Sequence, residues 1–249
     1  MRCVTCSAPT PRDAAAVADL HKRRASVTRR CADLSGATMM WRGYLTDEGG
    51  QDMFVQIIEG RVADGQGLRR QMDTWAAELR SGATGYLGTT AGVTDDGQGI
   101  AFARFESADA ARANSERPEQ GEWWAATEGC FDGPVTFTDS EDVVSFLAGG
   151  SDDAGFVQVM KGTADRSRMH EMDERFAAVA ADWRPDLLGG TRVWTGADTY
   201  VEVGYFTSEA DAREGEAKEP PPELADGAAE FEELMTGVEF LDLRDPWLY

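Results

Sequence analysis

The sequence predicts an α+β fold made of two tandem β-α-β-β-α-β units packed sheet to sheet. Three observations carry this expectation. Residues 53–60 read Met-Phe-Val-Gln-Ile-Ile-Glu-Gly, and residues 155–162 read Gly-Phe-Val-Gln-Val-Met-Lys-Gly, the same strand written twice. Each copy is followed by an apolar stripe at helical spacing. Each then runs through the same order of hairpin, Ser-led helix and closing strand.

The first strands alternate, so Phe54, Gln56 and Ile58 share one face, as do Phe156, Gln158 and Met160. The next stretch places Leu68, Met72, Trp75 and Leu79 at steps of three and four. Its copy places Met169, Met172, Phe176, Val179 and Trp183 likewise, so each set lies on one helix face. Both contain a Met-Asp pair, Met72-Asp73 and Met172-Asp173. Gly-rich extended segments follow at 85–93 and 187–195. Turns at Asp95-Asp96-Gly97 and Gly196-Ala197-Asp198 lead into strands at 100–105 and 200–206.

Those strands end in Phe105 and Phe206. Ser107 and Ser208 then read as N-caps, because a Ser hydroxyl accepts from the unpaired amides of a first helical turn. Pro118 and Pro220 close these helices, since proline disfavours helix in the residue before it. Further helices are predicted around 119–127 and 223–235. The closing strands are 135–137 and 238–241, each followed by an aspartate, Asp139 or Asp242. This is the ferredoxin-like order. Such a sheet carries helices on one face only, and two copies can bury their bare faces against each other.

The duplicated element order resembles that of the dimeric α/β-barrel superfamily, which includes the antibiotic biosynthesis monooxygenases. The resemblance covers residues 53–249, with the usual dimer fused into one chain. It implies a small cavity and, by analogy, a cofactor-independent monooxygenase acting on an aromatic or phenolic substrate that reacts with oxygen through its own carbanion. Two alternatives stand beside it: a non-catalytic ligand-binding or stress-related barrel protein, and a haem-handling protein.

Length and charge divide the chain into an N-terminal extension (1–52), a first unit (53–150) and a second unit (151–249). The extension matches neither copy. It carries a balance of +2 against −23 for the remainder, out of a net −21. It is expected to be disordered or to reflect a misassigned start. The acidic body repels phosphate backbones, so nucleic acid is not an expected partner. No apolar run reaches the roughly 18 residues of a membrane span. The expected molecule is a cytoplasmic monomer with an internal pseudo-dimer, or a weak homo-oligomer.

Candidate chemistry is sparse. Cys3, Cys6, His21 and Cys31 offer a Cys₃His zinc set whose spacing matches no strong finger pattern, and unpaired thiols in a tail are the plainer reading. His170 is the one histidine of the body, and its position off the apolar stripe favours a surface role over that of a base. Asp64-Gly65-Gln66-Gly67 lacks the third glycine of a dinucleotide loop, so no cofactor is expected. The better ligand-binding candidates are Gln56 and Gln158, polar residues inside apolar strands. If their face lines the barrel, the two amides point into a central cavity from opposite sheets, and the alternative is an amide tying the sheets together. Arg104, Tyr205 and Glu202 on the third strands are further candidates. Trp194 and Trp123 could wall a site for a flat ring.

Overall fold

The computed structural model describes residues 53–225 and 227–249. The expectations for 1–52, including Cys3, Cys6, His21 and Cys31, lie outside the described residues. Two antiparallel five-stranded sheets form the frame. Their strands are β1 Phe54–Arg61, β2 Tyr86–Val93, β3 Gln98–Phe105, β4 Thr136–Ser140, β5 Val143–Leu147, β6 Phe156–Thr163, β7 Leu187–Trp194, β8 Thr199–Phe206, β9 Glu239–Leu243 and β10 Trp247–Leu248. The helices are α1 Gly65–Thr74, α2 Ala108–Ser115, α3 Pro118–Glu128, α4 Arg166–Ala177, α5 Ala180–Trp183, α6 Glu209–Glu216, α7 Pro222–Ala225 and α8 Ala228–Leu234.

The strand orders are β10-β2-β3-β1-β4 and β5-β7-β8-β6-β9. The four repeat strands fall where the sequence places them, but each sheet has a fifth strand given by the other half. β5 follows the first half and pairs with β7, while β10 follows the second and pairs with β2. This reciprocal exchange adds backbone hydrogen bonds between the halves and covers one edge of each sheet.

Strand alternation assigns the two faces. Val55, Ile57, Ile100 and Phe102 of the first sheet pack on Val157, Val159, Val203 and Leu243 of the second, all nearly inaccessible. Each such side chain contributes about 1.5–3 kcal/mol by leaving water. Lys161 on β6 reaches Glu59 on β1 at 2.7 Å, an ion pair between the halves. The opposite faces meet helices: Phe54 and Phe105 pack on Ala111, and Phe156 and Phe206 on Ala212. Ser107 and Ser208 accept from the amides of Ala110 and Asp211 at 3.1 Å each, so both predicted caps are present. The first apolar stripe is fully buried at Leu68, Met72, Trp75 and Leu79, but its last turn, Trp75–Leu79, is a π-helix. In the second half the helix breaks at Ala178, and Phe176, Val179 and Trp183 are only half-buried.

Candidate functional site

The paired amides do not face each other. Gln56 and Gln158 share their faces with Phe54 and Phe156, which point to the helices, while Val55 and Val157 point to the seam. Period-two alternation therefore turns both glutamines away from the seam. Each donates to the aspartate opposite it in its own sheet: Gln56 Nε2 to Asp139 at 2.9 Å, and Gln158 Nε2 to Asp242 at 3.1 Å. They tie neighbouring strands within a sheet, not one sheet to the other. The seam itself is filled mainly with apolar side chains and, besides the Lys161–Glu59 pair, carries a polar cluster. There Arg104 Nη1 donates to Tyr205 Oη at 2.8 Å and to Thr90 Oγ1 at 3.0 Å, and the two hydroxyls are 2.6 Å apart.

A cavity of about 90 Å³ lies in the first half, between the outer face of β1–β3 and the helices. Its floor is made by small residues: Ala91 and Gly92 on β2, and Gly99, Ala101 and Ala103 on β3. Its walls are aromatic, with Trp75, Tyr86, Trp123, Trp124, Phe131 and Trp247. The π-turn after Thr74 begins at Trp75, and such bulges recur at functional sites. Trp75 Nε1 donates to Gln120 Oε1 at 2.7 Å, and Trp123 Nε1 donates to the carbonyl of Gln71 at 2.8 Å. Both indoles are thereby fixed. Trp247 arrives from the C-terminal strand β10, directly opposite Ala91.

The polar groups of the lining are uncharged. Asn114 on α2 is buried, and its Oδ1 accepts from Arg117 Nη1 at 2.9 Å. Its Nδ2 donates to no protein group among the described residues, and the same holds for Gln120 Nε2. Tyr86 donates to Thr89 Oγ1 at 2.7 Å. Burial pushes the Tyr86 phenol above its ordinary pKa, more than the Thr89 hydrogen bond and the Arg80 and Arg104 charges lower it, so it stays a neutral donor. No Asp, Glu, Lys, Arg or His lines the cavity. The donor set can stabilise an oxygen anion on a bound ring but offers no side-chain base and no metal-ligating group.

At the corresponding place in the second half, among the described residues, larger side chains stand where the first half has small ones, pair by pair. Ala91 faces Ala101 across β2 and β3, while Arg192 faces Glu202 across β7 and β8. Arg192 bridges Glu202 Oε2 and Asp173 Oδ2, each at 2.5 Å, beneath α4. Burial pushes the Glu202 carboxyl up while the Arg192 charge draws it back down. Burial also opposes the Arg192 charge, but Glu202 and Asp173 outweigh it and leave the guanidinium firmly protonated. Tyr200, beside Trp194 at 5.7 Å, takes the place of Gly99. Trp194 is core, with the Arg166 guanidinium 4.4 Å above its ring.

Of the candidates named from sequence, Gln56 and Trp123 line the cavity. Arg104 and Tyr205 sit in the seam, while Glu202, Trp194 and Gln158 lie on the helix side of the second half. His170 is exposed on α4 and lies 3.6 Å from Glu174. Sequence reasoning missed Tyr86, Asn114 and Gln120. The legible signals were Asn114 as the single asparagine of the chain, and Ala101 standing where the copy has Glu202. Among the described residues no group of three metal-ligating side chains gathers, and no helix is long and apolar enough to cross a membrane.

No family model matches the sequence, and no curated protein matches it at a significant level. Solved structures do. A proposed monooxygenase from Lactobacillus acidophilus NCFM superposes with a TM-score of 0.59 at 8% identity, covering 80% of this chain and 99% of that one. Another, from Fusobacterium nucleatum, has a TM-score of 0.59 at 8% identity, covering 78% and 93%. An anthrone oxidase-like protein has a TM-score of 0.54 at 7% identity, covering 80% and 94%. At these identities the likeness speaks of fold. The shared fold is α+β, two ferredoxin-like units with both sheets carried by one chain.

Proposed function

We propose that the first half binds a single-ring phenol or hydroquinone and presents it to dioxygen, as a monooxygenase that uses the electrons of its own substrate. The observation that carries this reading is the lining itself: an aromatic box with amide donors and no charged side chain. Such a box suits a flat ring held by its faces, with its oxygen against Asn114 Nδ2 or Gln120 Nε2. Donors aimed at a phenolate oxygen stabilise the electron-rich form that reacts with oxygen. A ring carbon then bonds to dioxygen and loses its hydrogen. The peroxide O–O bond breaks, and water leaves. For phenol, one molecule plus one dioxygen gives one quinone plus one water, the ring losing four electrons and the two oxygen atoms gaining them.

Size supports a small substrate. At about 90 Å³ the cavity is smaller than a 150 Å³ engineered cavity that admits benzene, and far below the roughly 300–1,000 Å³ of sites for drug-sized ligands. One ring is the upper bound on the occupant, and haem is too bulky for this space. Oxygen-electrode measurements with a panel of monocyclic phenols and hydroquinones test the proposal. Uptake should occur without added cofactor. It should fall about 10- to 100-fold in Asn114→Ala, the worth of a hydrogen bond to a charged oxygen. Ligand binding without any uptake would assign the barrel to the binding-only alternative.

A further inference from the structure

The two halves share a backbone, yet where the first has its aromatic cavity the second has a buried ion cluster, and the open cleft of the second half lies elsewhere, among Thr163, Asp165, Arg168 and Glu233. The difference is concentrated at positions that pair directly across two central strands. Ala91 and Ala101 are replaced by Arg192 and Glu202, and Gly99 by Tyr200. The third member of the buried ion cluster, Asp173, belongs to the Met-Asp pair that both halves carry. Its equivalent, Asp73, accepts from Tyr249 Oη at 2.7 Å. The first half therefore already holds one of the three charges and lacks the two that would close it.

We infer that the second half holds a closed copy of the ligand pocket, shut by the Arg192–Glu202–Asp173 cluster. Each chain takes one small aromatic ligand, not two, and removal of the cluster opens a second site for the same class of molecule. The inference rests on reading the first-half cavity as a ligand site. Its physical basis is volume and charge. A guanidinium with two carboxylates occupies the space a ring would need, and its near-complete burial is compensated only within the cluster. Removing the arginine alone would strand two buried carboxylates, so the opening variant must neutralise all three positions together. The reverse change introduces two residues and draws on Asp73, now held by Tyr249 and Arg69, as the third.

The test uses the full chain crystallised with 4-bromophenol, with bromine located by anomalous scattering. The wild type should show one bromine per chain, between β1–β3 and α1–α3. Arg192→Ala/Glu202→Ala/Asp173→Asn should show a second, between β7–β8 and α4. Ala91→Arg/Ala101→Glu should lose the first. Bromine in both halves of the wild type, or no second bromine in a folded opened variant, would overturn the inference while sparing the proposed function. Absence of bromine from the wild type would overturn the pocket reading and this inference with it. Should the opened variant fail to fold, the plugged variant decides: bromine retained in its first half refutes the cluster as a plug.

Discussion

At the residue scale, burial sets the ionisation of three tyrosines, of which Tyr86 lines the cavity. Tyr86, Tyr200 and Tyr249 are all raised above the ordinary value of 10.0, chiefly by desolvation. For Tyr249 the Asp73 carboxylate that it bonds adds to the effect. The folded chain thus keeps three protons at a pH where the unfolded chain releases them. These groups leave stability undiminished below a pH of about 10 and erode it as the pH climbs beyond, because the unfolded state then binds fewer protons. A spectrophotometric titration should therefore show three late-ionising phenols. Tyr86→Phe should remove one of them, and ionisation of all tyrosines at the ordinary value would contradict the burial argument. The buried ion cluster of the second half is harder to foresee, because Ala101 and Glu202 align in sequence but the meaning of the exchange is three-dimensional. A small residue reads as core until its neighbours on the same face are known to be small as well.

At the scale of elements, β10 is the least secured wall of the site. It pairs with β2 over two residues, and further backbone hydrogen bonds join Tyr249 to Thr89. The Arg69 guanidinium lies 5.2 Å from the Trp247 ring, and Tyr249 reaches Asp73. Trp247→Ala should cost about 3–5 kcal/mol in urea denaturation, the range for truncating a buried aromatic. It should also enlarge the cavity enough to bind two-ring phenols, and unchanged stability with unchanged ligand size would contradict its role as a wall. The repeat strands and the Ser caps were legible in sequence because period-two alternation and the Ser-led turn are local signals. β5 and β10 were not, because both depend on partners in the other half and β10 is too short to show a period. The same locality explains the glutamines. Alternation told which residues share a face with Gln56, but not whether that face meets the other sheet or the helices.

At the scale of the whole molecule, the seam and the exchanged strands make the two halves one folding unit. Residues 53–150 alone would expose Val55, Ile57, Ile100 and Phe102 and leave β5 without β7. Expressed separately, this half should self-associate or remain unfolded in sedimentation analysis. Co-expressed with residues 151–249 it should form a stable complex, and a well-folded monomeric half would show that the exchange is dispensable. The proposed function puts the ligand under the helices of the first half, where the second half holds its ion cluster. Tryptophan indole N–H signals in nitrogen-labelled protein, followed by NMR during titration with phenol, test that most directly. Trp75 and Trp123 border the cavity, whereas Trp183 and Trp194 belong to the second half. The Trp75 and Trp123 signals should shift in a saturable way while those of Trp183 and Trp194 stay in place. Movement confined to the second-half pair, or no movement of any indole in the folded protein, would contradict that placement.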